Sequence, residues 1–483
     1  MEHGIRIRKV ILLCMLLSGV SGMYAQPCLP DGIIFNSQAQ LDSFQILYPN
    51  CTEIEGNVHI HQSSDIHDLS PLSNITTIGG YLWVSSSYLD SLYGFHNLES
   101  IGSWLSLFDG NYNKLNELSS LRSIQGGLQI VSCDELVDLS ELDSLQFLGS
   151  GIQINSNDNF ANLNGLQGID SIHERLDIRD NPNLESLEGL NNLVYIGGDL
   201  ELIDNASLNN LSSLGNLTKI DGKLEVNDCD SLLNLQGMNK LQSIGEELYI
   251  KNCFNLLSLE GLEELVYIGD EVYLWQNNSL ENLDGLENLT EIGSDLNIVI
   301  NNSLVNLNGL HGLVDMGPKL MIFSNDLLSD ITGLENLGGN QLEELIVVSN
   351  PSLSDCSIQI ICSFLESGSE ALIAGNMTGC ASEEEVEEGC ETGLVEPGLS
   401  NSITIFPNPF TTSVTIEFTL EGNSEIQLSI YNTMGEVVYD SKERMIAPGT
   451  HKVTWSPGHH PGGLYYAVLR SEEVVSVVKM IKQ

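Results

Sequence analysis

Two stretches of the chain, LELIDNASL at residues 200–208 and LEVNDCDSL at residues 224–232, are near-copies that lie 24 residues apart. Their aliphatic residues agree, but the first has Asn205 where the second has Cys229. The same period continues in both directions, marked by an aliphatic anchor residue that glycine often follows. The anchors are spaced by 24, 23 and 23 residues and then by 24 throughout: Ile54, Ile78, Ile101, Ile124, Leu148, Ile172, Ile196, Ile220, Ile244, Ile268, Ile292 and Met316. Such a strict period indicates a repeat architecture.

Each repeat contains a short alternating pattern after its anchor. The fourth and sixth residues are aliphatic, as in Leu200 with Leu202 and Leu224 with Val226. This alternation predicts a short strand with one buried face. Because one 24-residue unit cannot bury these side chains alone, the units must stack and cover one another. We therefore predict a mainly β solenoid of about 12–13 turns over residues 51–350, with a parallel sheet of short strands.

The ninth position of the repeat is either asparagine or cysteine in nine successive repeats. It reads Cys133, Asn157, Asn181, Asn205, Cys229, Cys253, Asn277, Asn301 and Asn325. The chain turns inward there, so its backbone groups need partners away from water. A buried asparagine offers both donor and acceptor, and cysteine tolerates burial with a weak S–H donor. We predict a structural asparagine/cysteine ladder at this corner.

An Asn/Cys corner of this kind resembles that of leucine-rich repeats. The spacing IGxxLxIxxN differs from their usual LxxLxLxxN and is more similar to the receptor L-domain family and its bacterial relatives. That resemblance implies a right-handed, β-helix-like solenoid. Because a solenoid exposes apolar surface at both ends, we also expect capped ends.

The tail, from Ser402 onward, loses the 24-residue period. Its alternating segments predict about seven short strands in a small immunoglobulin-like β-sandwich. The segments FPNPF (406–410), IYNTMGEVVY (430–439), PGTHKVTW (448–455) and PGGLYYAVL (461–469) resemble the C-terminal sorting domain of the type IX (Por) secretion system of Gram-negative bacteria. The resemblance implies a partner, the secretion machinery, and attachment to the cell surface or release. An ordinary immunoglobulin-like module is the alternative.

The sequence predicts six consecutive segments. The first 25 residues have a basic start, an apolar core and a small-residue cut site after Ala25, the pattern of an export signal. The segments are a signal peptide (1–25), an N-terminal cap (26–50), the solenoid (51–350), a C-terminal cap (351–391), a linker (392–401) and the sorting domain (402–483). We expect a short helix within residues 37–49, capped by Asn36 or Ser37, and a closing helix in SIQIICSFL.

Export would expose the cysteines to an oxidising environment. We expect Cys28 to pair with Cys51 across the N-terminal cap. Four further cysteines, Cys356, Cys362, Cys380 and Cys390, favour two disulfides in any of three pairings, with a zinc site as the alternative. In the ladder, Cys229 and Cys253 lie on adjacent turns, either as free thiols or as a bridge.

Charge and motifs limit the function. The chain has 18 Lys plus Arg against 66 Asp plus Glu, a formal net charge of -48, which argues against nucleic-acid partners. After the signal, no stretch reaches about 18 apolar residues, so we expect no transmembrane span in the mature chain. No metal-protease, serine-hydrolase or phosphate-loop motif occurs, and we expect neither an enzyme nor a cofactor.

Aromatic residues gather on the predicted outer face of the sheet. The third, fifth and seventh positions face away from the core, and His59 and His61 lie there as well. The candidate ligand-binding residues are Tyr81, Trp83, Trp104, Phe108, Tyr249, Tyr273, Trp275, Met321 and Phe323. Exposed aromatic rows suit a sugar ring or an apolar protein anchor, whereas cross-strand stacking that only stabilises the sheet is the alternative. The two histidines offer metal ligands without an evident third partner, or simply a polar surface.

These observations favour an exported binding protein, an adhesin or ligand receptor for a protein or glycan on the sheet face. A structural coat component without a discrete ligand is the first alternative. A polysaccharide-active enzyme on a solenoid scaffold is the second.

Overall fold

The computed structural model describes residues 27–61, 64–86, 88–338, 342–393, 404–420, 424–432, 437–442, 444–471 and 475–483. The predicted signal peptide and most of the predicted linker lie outside these residues. The chain divides into two compact units, Met1–Glu383 and Glu384–Gln483. In the part of the chain that is described, no helix has both the length and the apolarity needed to cross a membrane.

The first unit is built around one long parallel sheet. Successive strands pair in register at the repeat spacing, so that Leu200 lies opposite Leu224 and Leu202 opposite Val226. Leu200 and Leu202 are both 0% exposed, which confirms the predicted solenoid and its buried strand face. Among the described residues the sheet has fifteen strands: Ile33–Phe35, Val58–Ile60, Leu82–Ser85, Leu105–Phe108, Leu128–Val131, Ile152–Asn155, Leu176–Arg179, Leu200–Ile203, Leu224–Asn227, Leu248–Lys251, Val272–Trp275, Leu296–Val299, Lys319–Phe323, Glu344–Val348 and Leu372–Ala374.

The anchor residues form further parallel strands, which the sequence pattern did not reveal. Each anchor is the second residue of a two-residue strand and is buried. One such sheet contains Pro27–Cys28, Glu53–Ile54, Thr77–Ile78, Ser100–Ile101, Ser123–Ile124 and Phe147–Leu148. Another contains Ser171–Ile172, Tyr195–Ile196, Lys219–Ile220, Ser243–Ile244, Tyr267–Ile268, Glu291–Ile292 and Asp315–Met316.

A third stretch of each turn joins the long strand to the next anchor strand. In some turns it forms a 3₁₀ helix, at Ser70–Leu72, Asn116–Leu118, Ser140–Leu142, Ser212–Leu214, Asn308–Leu310 and Thr332–Leu334. Its leucines, such as Leu208, Leu211 and Leu214, are 0% exposed and fill the shared interior. Where glycine occupies this stretch, as at Gly237 with a φ of +115°, a Cβ would overlap the carbonyl oxygen of Leu211 one turn earlier.

The N-terminal end of the solenoid is covered by helix α1, Gln38–Leu47, which buries Leu41 and Phe44. The expected side-chain cap is absent: Ser37 is the N-cap residue, but its hydroxyl makes no capping hydrogen bond. The side chain of Gln40 instead accepts a hydrogen bond from the backbone N–H of Asn36 at 2.7 Å. This bond serves a backbone N–H that precedes the helix, so it does not replace the first-turn hydrogen bond expected of the serine.

Disulfides occur at both ends of the repeat region. Cys28 pairs with Cys51, and Cys356 pairs with Cys380. Cys362 and Cys390 are also disulfide-bonded. The closing helix α2 spans Gln359–Glu366, and helix α3, which is rich in glutamate, spans Glu383–Gly393.

The C-terminal unit is antiparallel, as the prediction for this part of the fold requires. Its core contains Phe410, Phe418, Leu428 and Trp455, all nearly fully buried. Its described strands number eight rather than about seven. They are Thr404–Phe406, Val414–Leu420 and Gly449–Trp455 in one sheet, and Ser424–Asn432, Val437–Asp440, Arg444–Ile446, Gly463–Ser471 and Val475–Lys482 in the other.

Candidate functional site

The corner after each long strand brings the predicted ladder residues together. Asn205 is 0% exposed, and its Oδ1 accepts hydrogen bonds from the backbone N–H and the side-chain amide of Asn181 at 3.2 and 3.3 Å. Its own amide donates to the carbonyl of Ile178 at 2.8 Å and to that of Ile203 at 3.0 Å. One side chain thus links a turn to the turn before it, and this is a structural role.

The ladder extends beyond the residues that the period identified. Asn325 donates to Asn350 from its backbone N–H at 3.0 Å, and Asn350 donates in the same way to Asn376 at 2.8 Å. The repeat spacing lengthens to 25 and 26 residues there, which hid both asparagines from a strict 24-residue pattern.

The ladder cysteines are free, buried thiols. Cys133, Cys229 and Cys253 form no disulfide, and each is 0% exposed. Burial raises the pKa of Cys253 to about 12 and that of Cys133 to about 11. Of the two arrangements open for Cys229 and Cys253, the structure has the free pair. A protonated, inaccessible thiol is a poor nucleophile and a poor metal ligand, so these residues do not form a reactive site.

The residue just before the ladder position has a left-handed backbone conformation that sequence reasoning missed. At Asp180, Asp204 and Asp228 the φ angles are 52°, 54° and 53°. The same conformation recurs at Asp109, Ser132, Ser156, Asn252, Gln276, Ile300, Ser324 and Ser349. The signal was present in the sequence, because aspartate, asparagine and serine dominate this eighth position and short polar side chains are among those that tolerate positive φ best.

The front of the outer sheet face carries a stack of rings, which we call the front aromatic patch: His59, His61, Tyr81, Trp83 and Phe108. The Trp83 ring is centred 4.9 Å from that of His59 and 5.2 Å from that of Phe108. Burial, followed by the neighbouring His61, lowers the pKa of His59. Within the described residues no cluster of three or more potential metal ligands occurs, so the two histidines gain no third ligand there.

Trp104 lies beside this patch and is partly buried. Its ring occupies the space over Gly127, where a Cβ would overlap it. Gly127, which directly precedes the strand Leu128–Val131, therefore makes room for the indole.

The middle of the outer face is a row of charged pairs, which we call the central ion-pair ladder: Asp177, Arg179, Glu201, Lys223, Glu225 and Lys251. Lys223 contacts Glu201 at 2.7 Å and Glu225 at 2.8 Å. Arg179 contacts Glu201 at 2.6 Å, and Lys251 contacts Glu225 at 2.7 Å.

Both glutamates of the central ion-pair ladder are almost completely buried beneath their partners. Glu201 is 4% exposed and Glu225 is 7% exposed. Burial alone would raise the pKa of each carboxyl, but hydrogen bonds from Lys223 and from a second base outweigh it and lower both pKa values. Each base is therefore held by a buried acid, and the row is close to neutral.

Further along the face is a concavity that we call the rear groove. It has a volume of about 480 Å³ and is lined by Tyr249, Lys251, Glu271, Tyr273, Asp295, Asn297, Lys319 and Met321. The rings of Tyr249 and Tyr273 have centroids 6.0 Å apart at 78°, and those of Tyr273 and Trp275 are 6.5 Å apart at 20°. This groove unites Tyr249, Tyr273 and Met321 of the candidate residues, with Trp275 at its edge.

The remaining candidate, Phe323, pairs in register with Val299 and is half-buried. The candidates thus form two separate groups on one face, at the front and at the rear. They are also less exposed than expected: Trp83, at 39%, is the most open of the nine, and neighbouring side chains partly cover the others. The position of a residue in the repeat predicts which face of the sheet its side chain lies on. How far that side chain is buried depends on residues in the neighbouring turns, which the position does not indicate.

The electrostatics of the rear groove centre on Glu271. Its carboxylate accepts a hydrogen bond from the Tyr249 hydroxyl at 3.1 Å and another from the amide of Asn297. Burial and this carboxylate raise the pKa of Tyr249 above its ordinary value. Burial also raises the pKa of Asp295, although Lys319 acts in the opposite direction.

The geometry defines a solenoid of parallel strands, whose outer sheet face carries the front aromatic patch and the rear groove, and a separate antiparallel β unit. Comparison with known families agrees with both parts. Residues 404–483 match the secretion system C-terminal sorting domain, and residues 50–113 match the receptor L domain. No curated protein matches the chain. The sorting domain indicates export through the type IX secretion machinery to the cell surface or beyond it.

Proposed function

We propose that this chain is a non-enzymatic binding protein, an adhesin or receptor, which takes a protein or glycan ligand on the outer face of its long sheet. The sorting domain supports a position outside the cell, and the receptor L domain match supports a binding role for the solenoid. A long stack of rigid strands offers an extended surface of the kind that repeat proteins use for recognition.

The rear groove is the observation that carries this proposal. It is a shallow, open depression on the long sheet, and it combines two tyrosine rings with carboxylate, amide and ammonium groups. Ligand sites in proteins are concave and combine aromatic surface with a few polar groups that fix orientation. In a coat component without a ligand, stacked rings would still stabilise the sheet, but a groove lined by polar groups would have no role.

Binding assays on the chain from residue 26 to 483 test the proposal. We would screen a glycan array and surface proteins of co-resident cells with the unchanged chain and with a Tyr273→Ser/Trp275→Ser variant. Tyr88→Ser is the matched control, because Tyr88 is 53% exposed and lies outside the rear groove. We expect the double variant to lose at least tenfold in affinity for a ligand that the control still binds.

Equal binding by all three proteins would exclude the rear groove as the ligand site. Absence of any ligand, with normal folding of each protein by circular dichroism, would favour the coat component instead.

A further inference from the structure

We propose that the rear groove accepts a cationic side chain, lysine or arginine, presented by a basic segment of a partner protein. This inference rests on the proposed binding function and names the chemistry of its ligand.

The two lysines that line the groove are already neutralised by acids. Lys251 lies 2.7 Å from Glu225, and Lys319 lies 3.2 Å from Glu344. Their positive charges are therefore compensated at short range. Among the described contacts, Glu271 and Asp295 form no ion pair; Asp295 meets the charge of Lys319 only beyond ion-pair distance.

Negative charge accumulates along one side of the groove. Glu271 and Asp295 line it just before two adjacent strands, Val272–Trp275 and Leu296–Val299, and Glu247 has the same repeat position one turn before Glu271. Within the described part of the chain, the hydrogen bonds to Glu271 come from neutral groups, a hydroxyl and an amide. Burial, and after it the negative charges of Glu271 and Glu247, raise the pKa of Tyr249. An incoming cation would supply the missing counter-charge.

The aromatic rings in and beside the rear groove are suited to binding such a cation. The ring of Tyr249 already holds the ammonium of Lys251, whose Nζ lies 4.9 Å from the ring centroid. Tyr273 and Trp275, with ring planes 20° apart, carry no cation of their own among the described contacts. Aromatic faces beside carboxylates attract ammonium and guanidinium groups through the ring quadrupole and direct charge attraction.

The charge of the whole chain favours the same class of partner. A net charge of -48 steers basic proteins toward the surface and repels acidic ones. A neutral glycan would gain nothing from this field, so the observations favour the basic protein segment.

Peptide binding to the chain from residue 26 to 483 tests the inference. The probes are a peptide of alternating lysine and serine, its glutamate counterpart and a neutral gluco-oligosaccharide, measured by titration calorimetry at low and high salt. The groove variant is Glu271→Gln/Asp295→Asn, which preserves shape. The control variant, Asp315→Asn/Glu335→Gln, removes equal charge from exposed residues outside the groove lining.

We expect the lysine peptide to bind at least tenfold more tightly than the glutamate peptide. The groove variant should lose at least fivefold, the control variant less than twofold, and Tyr273→Leu should also weaken binding. Equal losses in both charge variants would mean non-specific attraction and would overturn the inference.

The oligosaccharide separates this inference from the proposed function. Binding of a glycan that depends on Tyr273, without binding of the lysine peptide, would overturn the cationic ligand and leave the proposed function standing. If no probe binds and the earlier screen shows no dependence on Tyr273 and Trp275, both fail.

Discussion

Removal of one ladder asparagine gives the sharpest test of how the turns are joined. Asn205→Ala deletes four hydrogen bonds, two accepted from Asn181 and one donated to each of the carbonyls of Ile178 and Ile203. Because the side chain is 0% exposed, water cannot replace these partners without opening the corner.

The expected loss follows from the number of bonds. At about 1 kcal/mol for each buried hydrogen bond, Asn205→Ala should destabilise the solenoid by about 4 kcal/mol. Asn205→Cys should cost about half as much, on the order of 2 kcal/mol, because the thiol restores a weak donor. Cys229 shows this substitution one turn later, where its Sγ lies 3.5 Å from the carbonyl oxygen of Leu202.

Urea unfolding followed by circular dichroism measures the change, and amide hydrogen exchange locates it. The backbone N–H of Asn181 should lose protection in Asn205→Ala, since its acceptor is gone. The control is Asn209→Ala, an identical chemical change at an exposed position, expected to stay within about 0.5 kcal/mol of the unchanged protein. If Asn205→Ala and Asn209→Ala unfold at the same urea concentration, the ladder does not hold the turns together.

Two further predictions concern buried groups. Cys229 and Cys253 should resist a thiol reagent at pH 8 in the native protein and react fully in urea. Both are 0% exposed, and burial raises the pKa of each thiol. Rapid labelling of the native protein would contradict this prediction. Glu201 and Glu225 have folded-state pKa values below the ordinary 4.5, so their contribution to stability is complete above that pH and is lost as the pH falls through the folded values. Lys223→Gln should therefore lower the urea midpoint at pH 7 and make less difference at pH 3, whereas a loss that does not vary with pH would show that the lysine acts through packing alone.

The sequence alone was sufficient for the repeat. A 24-residue period with paired aliphatic residues requires stacking, because one unit cannot bury Leu200 and Leu202 by itself. The same period identified the corner at Asn205. The ninth position of the repeat accepts few residue types there, because its side chain must be buried and must satisfy backbone groups. The tail was recognisable because its turn and strand segments keep their order over residues 404–483.

Only the tertiary structure decided how each turn closes and what its surface exposes. The second parallel strand at each anchor, such as Tyr195–Ile196, depends on hydrogen bonds to neighbouring turns, which a two-residue pattern cannot indicate. The rear groove likewise depends on which side chains meet across strands: Tyr249 and Glu271 are 22 residues apart yet share a hydrogen bond. Sequence period fixes which residues share a face, whereas contacts between turns determine which of them are covered, paired or open to a ligand.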